Sequence, residues 1–266
     1  MSFLYDAETE VEPAGDGRFT THLTSAWNIG DNPNGGYLIS PVLRAMAASC
    51  GHPQPLTVTV HYLRPGTGDA PAEIDINVIR EGRSLSTLRG SLVQAGRERL
   101  EVLAAFCDHS VGTDDLATLT EPVVELPLPD ECLLRSGLEQ GVNLPILERV
   151  EVMIPPEQAT AGTMEEARIS GWIRHIDGRP VDAASLVLFA DAFPPPIFGL
   201  LGVVGWVPTI ELTVQVRREP APGWIRAEFT CEDLQGGRMI ENGRLWDSEG
   251  ALVAQSRQVS MLLPRD

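Results

Sequence analysis

Three runs, Ala72 to Arg80, Leu85 to Val93 and Leu100 to Phe106, alternate apolar or β-branched residues with polar ones, and Gly-bearing turns separate them at Glu81-Gly82 and Ala95-Gly96. A period of two with connections this short predicts an antiparallel meander. A fourth run, Leu56 to Leu63, leads into it through the turn at Pro65-Gly66. A sheet with one apolar face must be covered, and the preceding segment supplies the cover. From Ala26 to Gly51, Asn, Pro and Gly give way to Leu38, Val42, Leu43, Ala45, Met46 and Ala47, the pattern of a turn feeding a helix. Gly51 is expected just past the helix end, and Pro41 in its first turn or at a kink. The first half therefore reads as an α+β unit whose sheet wraps one helix. Arg18 to Leu23 is an earlier strand, and residues up to about Gly17 are a lead-in.

The second half repeats the order. Ala167 to His175 alternates like a strand, Asp182 to Phe193 reads as a helix with Asp182 as its N-cap, and Pro194-Pro195-Pro196 is expected to stop it. Strand-like runs follow at Thr209 to Arg218, Trp224 to Leu234, Arg238 to Trp246 and Leu252 to Leu263. Laying TVHYLRP over TVQVRREP pairs Thr59, Val60 and Arg64 with Thr213, Val214 and Arg218, and Gly82-Arg83 recurs as Gly237-Arg238. That pattern is an internal duplication. Between the halves, Pro122, Pro127, Pro129 and Pro145 stand among acidic and small residues, as in a linker over the surface. The expected division is 1–109, a linker over 110–148, and 149–266.

Charge and composition limit the function classes. A net charge of −17 and a pI near 4.6 repel nucleic acid and anionic lipid. No apolar run approaches the roughly 18 residues of a membrane span, and the acidic start has no basic leader. The expectation is a cytoplasmic protein with neither nucleic acid nor membrane as partner. Cys50, Cys107, Cys132 and Cys231 form no CxxC, and the histidines show no metal-ligand spacing, so no metal is expected. The chain has no lysine. That excludes Schiff-base and P-loop chemistry, and no cofactor is expected.

Asn34-Gly35-Gly36 has two readings: a plain turn, or a helix N-terminus whose free N–H groups meet a carbonyl oxygen or phosphate. A wider pattern then enters. HYLRPG (His61 to Gly66), a strand, R-x-G-R-S-x-S-T-x-R (Arg80 to Arg89) and V-Q-x-G (Val93 to Gly96) together resemble the N-terminal half of the acyl-CoA thioesterase II family, the TesB-like double-hotdog proteins. The resemblance extends over nearly the whole chain. It implies an α+β double hotdog, two helices each wrapped by an antiparallel sheet, acting on acyl-CoA as a homo-oligomer. It also implies Asp191, near the end of the second helix, Thr209, opening the next strand, and Gln258, in the last strand, as catalytic residues. Asn34, Gly35, Gly36, Tyr62 and Arg83 are expected to bind the substrate.

Those residue types suit thioester hydrolysis, which needs an activated water and donors where the oxyanion develops. Asp191 would be the base, Thr209 and Gln258 would orient the water, and amides near Gly35 and Gly36 would polarise the carbonyl. Each residue alone has a plainer reading. Asp191 at a helix C-terminus opposes the dipole unless it faces solvent, Thr209 suits any strand, and Gln258 suits an exposed strand position. Arg64, Arg80, Arg83 and Arg89 either solvate a sheet face or gather at the mouth to grip CoA phosphates. PPPIFGLLGVVGWVP (Pro194 to Pro208) is shorter than its counterpart in the family, which reshapes the acyl pocket. Two alternatives remain at this point: a non-catalytic acyl-CoA-binding protein and an enoyl-CoA hydratase-type enzyme.

Overall fold

Asn34 starts the helix around which the first half is built. Its side chain accepts a hydrogen bond from the Tyr37 amide at 3.0 Å, the N-cap arrangement. The computed structural model describes residues 2–111, 119–137 and 141–264. In chain order the main elements are α1 (Leu4–Glu8), β1 (Glu12–Gly15), β2 (Arg18–Leu23), α2 (Gly35–Ala48), β3 (Gln54–Tyr62), β4 (Ala70–Glu81), β5 (Ser86–Gln94) and β6 (Arg97–Cys107). Then follow β7 (Leu133–Leu134), β8 (Val150–Ile154), β9 (Arg168–His175), α3 (Ala183–Phe189), α4 (Ile197–Leu201), β10 (Thr209–Val216), β11 (Ile225–Gln235), β12 (Arg238–Trp246) and β13 (Leu252–Met261).

The strands form one antiparallel 13-stranded sheet in the order β1-β2-β4-β5-β6-β3-β10-β13-β12-β11-β9-β8-β7. Its two halves have the same connectivity: β2-β4-β5-β6-β3 on one side and β9-β11-β12-β13-β10 on the other. They meet where β3 pairs with β10, and the register there sets Thr59 opposite Thr213, with their hydroxyls 2.9 Å apart. These are the residues that the sequence duplication equates. A local twofold between the halves puts equivalent residues face to face in this way.

Tyr37, Ile39, Val42, Leu43 and Met46 of α2 pack on Val58, Val60, Ile74, Leu88 and Val102 of the first-half strands, all buried. α3 packs beside α2 and over β3 and β10, and one apolar core runs through both halves. Gly36 permits the helix contact, because a Cβ built there would lie 2.7 Å from the Leu188 carbonyl oxygen.

Strand positions agree with the sequence pattern to within a few residues; the helices differ more. α2 stops at Ala48, where the Ser49 amide donates to the Met46 carbonyl, so Gly51 falls beyond the cap. Pro41 lies past the first turn inside the helix, where it withholds an amide from Tyr37. α3 begins on Asp182 as expected but ends at Phe189. The chain then tightens into i→i+3 bonds, with Asp191 N donating to Leu188 O at 3.1 Å and Ala192 N to Phe189 O at 3.3 Å. Asp191 therefore lies just after the helix. The prolines are followed by a further short helix, α4. The lead-in holds α1 and β1, and Asp6 of α1 pairs with Arg44 of α2 and with Arg179 of the second half. In the expected linker, β7 pairs with β8 of the second half, and Ile146 is buried.

Candidate active site

Asp191 faces the N-terminus of α2 from the other half of the chain. Its Oδ2 accepts from Asn34 Nδ2 at 2.9 Å and from the Gly36 amide at 3.0 Å. Asn34 Nδ2 also donates to the Asp191 backbone carbonyl at 2.7 Å. One cap residue therefore starts α2 and holds the acid in place. A carboxylate here meets the positive end of the α2 dipole, which stabilises it. Gly35 has to be glycine for the same approach: a Cβ there would lie 2.7 Å from Tyr62 Oη and 2.8 Å from Asp191 Oδ2.

The second oxygen is less engaged. Thr209 Oγ1 donates to Asp191 Oδ1 at the long distance of 3.5 Å. Thr209 opens β10 at a bulge, where the register with β13 shifts between Thr209 and Glu211. Bulges re-aim side chains in this manner. On β13, Gln258 Nε2 donates to Ser260 Oγ at 2.9 Å, and Ser260 lies opposite Thr209. Gln258 Oε1 is buried without a partner, as is the Tyr62 hydroxyl.

These groups line a cavity of about 510 Å³. Its wall includes Asn34, Gly35, Tyr62, Asp191, Thr209 and Gln258, so seven of the eight expected site residues, counting Gly36 through its bond to Asp191, converge on one place. The exception is Arg83, an exposed residue in the β4–β5 turn that does not line the cavity. Arg64 does line it, exposed, with its guanidinium donating to the Glu98 carbonyl. The amide of Gly36 is committed to Asp191, so it is not free to polarise a substrate carbonyl as the sequence reading expected.

Burial raises the Asp191 carboxyl from 3.8 to about 6, against the pull of its bonds to Gly36, Asn34, Gly35 and Thr209. It remains mainly ionised at neutral pH. Burial likewise holds the Tyr62 phenol neutral, with the charge of Asp191 adding to the effect.

A second acid stands in the same wall. Glu241 of β12 lies opposite Gln258, is only 7% exposed and belongs to none of the ion pairs among the described residues. Burial, and next the charge of Asp191, push its carboxyl well above 4.5. Sequence reading passed over it, yet a signal was there: Met239, Glu241, Gly243 and Leu245 share the inward face of β12, where an acid is out of place. The raised value makes a stability statement. The folded chain keeps this proton where the unfolded chain releases it, so the contribution is complete below the unfolded value and is lost as pH rises towards the folded one. Glu241→Gln removes that loss. Its melting temperature is expected to exceed that of wild type by a margin that widens from about pH 5 to about pH 8. Equal melting across that range would show that the carboxyl is solvated.

Residues 23–109 match the acyl-CoA thioesterase N-terminal domain, and residues 129–262 match the acyl-CoA thioesterase C-terminal domain. A crystal structure of a candidate thioesterase II from Thermobifida fusca is 30% identical, covers 98% of this chain and 98% of its own, and superposes with a TM-score of 0.88. A protein with a hot dog fold from Alicyclobacillus acidocaldarius gives the same TM-score, 0.88, at 20% identity over 100% of both chains. Acyl-CoA thioesterase 2 of Haemophilus influenzae is 23% identical over 76% of this chain and 77% of its own. The chain has the hotdog fold, and it belongs to the acyl-CoA thioesterase family of the TesB-like type.

Proposed function

We propose that the protein hydrolyses acyl-CoA thioesters with Asp191 as the base that activates water. The observation that carries this reading is the asymmetric Asp191 carboxylate in the cavity wall: Oδ2 is fixed by Asn34 and Gly36, while Oδ1 accepts a long bond from Thr209. A water held by Oδ1, Thr209 and Gln258 attacks the thioester carbon, and Asp191 takes its proton. The tetrahedral intermediate then expels the CoA thiolate, the C–S bond breaks, and the proton passes from Asp191 to sulfur. Free acid and CoA leave. The unpartnered Tyr62 hydroxyl beside Asp191 and Gly35 is the donor best placed to meet the developing oxyanion. Arg64 at the exposed side of the cavity offers a cation to the CoA phosphates.

In this reading the chain is a double hotdog, with units at 1–109 and 149–266 joined by 110–148. The repeated strand connectivity and the Thr59–Thr213 junction support it. The deciding experiment is release of free thiol from a series of acyl-CoAs; tight binding with no release from any of them would turn the reading into that of a binding protein. Within the same assay, Thr209→Val is expected to lower kcat by roughly tenfold, the worth of one hydrogen bond at the upper end of about 0.5–1.5 kcal/mol. Thr209→Ser should retain most of the rate. Equal rates in Val and Ser variants would remove Thr209 from the mechanism.

A further inference from the structure

Arg135 is the only arginine among the described residues that is less than a tenth exposed, at 8%. It follows β7 and is anchored by its own amide, which donates to the Val152 carbonyl at 2.8 Å. Its Nη1 donates to the Ala192 carbonyl at 2.6 Å, and its Nε has no acceptor. Arg179 has Asp6 and Asp182, and Arg149 has Glu8, while the partly buried Arg226 lies over the Trp172 ring and donates to the Val124 carbonyl. Arg135 forms no ion pair among the described residues. Burial lowers its value to about 10, which leaves it charged at neutral pH. Burying a cation without a counter-ion is unfavourable, and one carbonyl does not offset that.

The position says what could. Arg135 lines the 510 Å³ cavity and also a neighbouring one of about 260 Å³, and it shares that boundary with Pro195 and Phe198. Its carbonyl partner, Ala192, is the residue next to Asp191. Arg135 thus lies where the two cavities adjoin, beside Pro195 and Phe198, and its guanidinium is hydrogen-bonded to the residue that follows Asp191. A hydrocarbon tail gains nothing from it, whereas a carboxylate would meet several N–H donors and supply the missing charge.

We propose that Arg135 makes this site selective for short acyl-CoAs whose acyl group ends in a carboxylate. This deepens the thioesterase reading and rests on it. The alternative is that Arg135 only props the turn carrying Asp191, through the bond to Ala192.

The test is the ratio of kcat/KM for glutaryl-CoA to that for valeryl-CoA, two five-carbon acyl groups that differ in the terminal carboxylate. In Arg135→Gln, which keeps a donor for Ala192 and removes the charge, this ratio is expected to fall by at least about tenfold, mostly through KM for glutaryl-CoA. Arg135→Lys, which keeps the charge, should lose less of it. A purely structural role lowers both substrates together and leaves the ratio unchanged in both variants, and that result overturns the proposal. The thioesterase reading fails separately, if wild type releases thiol from neither these nor any other acyl-CoA.

Discussion

Asp191→Asn is expected to lower kcat for thiol release by about 10²–10⁴-fold, the usual contribution of a positioned general base. KM should change little, because asparagine keeps the shape and its amide oxygen can still accept from Asn34 and Gly36. The wild-type pH profile provides an independent check. The base acts only when ionised, so kcat/KM should rise with pH up to about 6, where the Asp191 carboxyl titrates, and level off above it. In the asparagine variant this acid limb should disappear along with most of the rate. Stability should move the other way. A carboxyl raised from 3.8 to about 6 holds its proton more tightly in the folded chain, so its ionisation subtracts stability as pH rises through that window. At about 1.4 kcal/mol per unit, the subtraction is roughly 3 kcal/mol above it. Asp191→Asn should therefore melt higher than wild type at neutral pH while hydrolysing far less. A variant that keeps wild-type turnover would end the case for Asp191 as base.

How far the sequence foresees this site depends on the kind of signal each residue carries. The strands are visible because alternation survives in them: Arg238 to Trp246 is read with the bounds it has in the structure. The duplication is visible because Thr59-Val60 and Thr213-Val214 occupy the junction, where both copies are held to the same pairing. Helix ends are less visible. Asp182 announces its cap by chemistry, whereas the end of α3 is set by the turn that swings Asp191 toward α2, a contact across 155 residues. Asp191, Thr209 and Gln258 gather only through a family pattern, since no local spacing brings three separate elements together. Glu241 could have been found from its place on the inward face of β12. Arg135 could not, because it lies in a Pro-bearing stretch with no period, and its burial depends on the sheet edge formed by β7 and β8.

Gly36→Ala tests the same site through its scaffold, and two opposing effects decide the outcome. Alanine is the better helix former by about 1 kcal/mol, which favours the variant. Against it, the new Cβ would lie 2.7 Å from the Leu188 carbonyl oxygen and 2.9 Å from its Cα, both backbone atoms of α3. No rotamer change relieves a backbone clash, so α2 and α3 must separate, and overpacking of this kind costs about 1–3 kcal/mol and sometimes more. The clash should win, and melting should fall by roughly 5 °C, given about 2–4 °C per kcal/mol for a domain of this size class. Turnover should fall further than stability suggests. The Gly36 amide holds Asp191 Oδ2 at 3.0 Å, and a small displacement of reacting groups costs up to about a hundredfold. The pair of variants is then diagnostic: Asp191→Asn loses rate and gains stability, whereas Gly36→Ala loses both. If Gly36→Ala matches wild type in melting temperature and rate, α2 and α3 do not meet at Leu188, and the support under Asp191 is different from the one described.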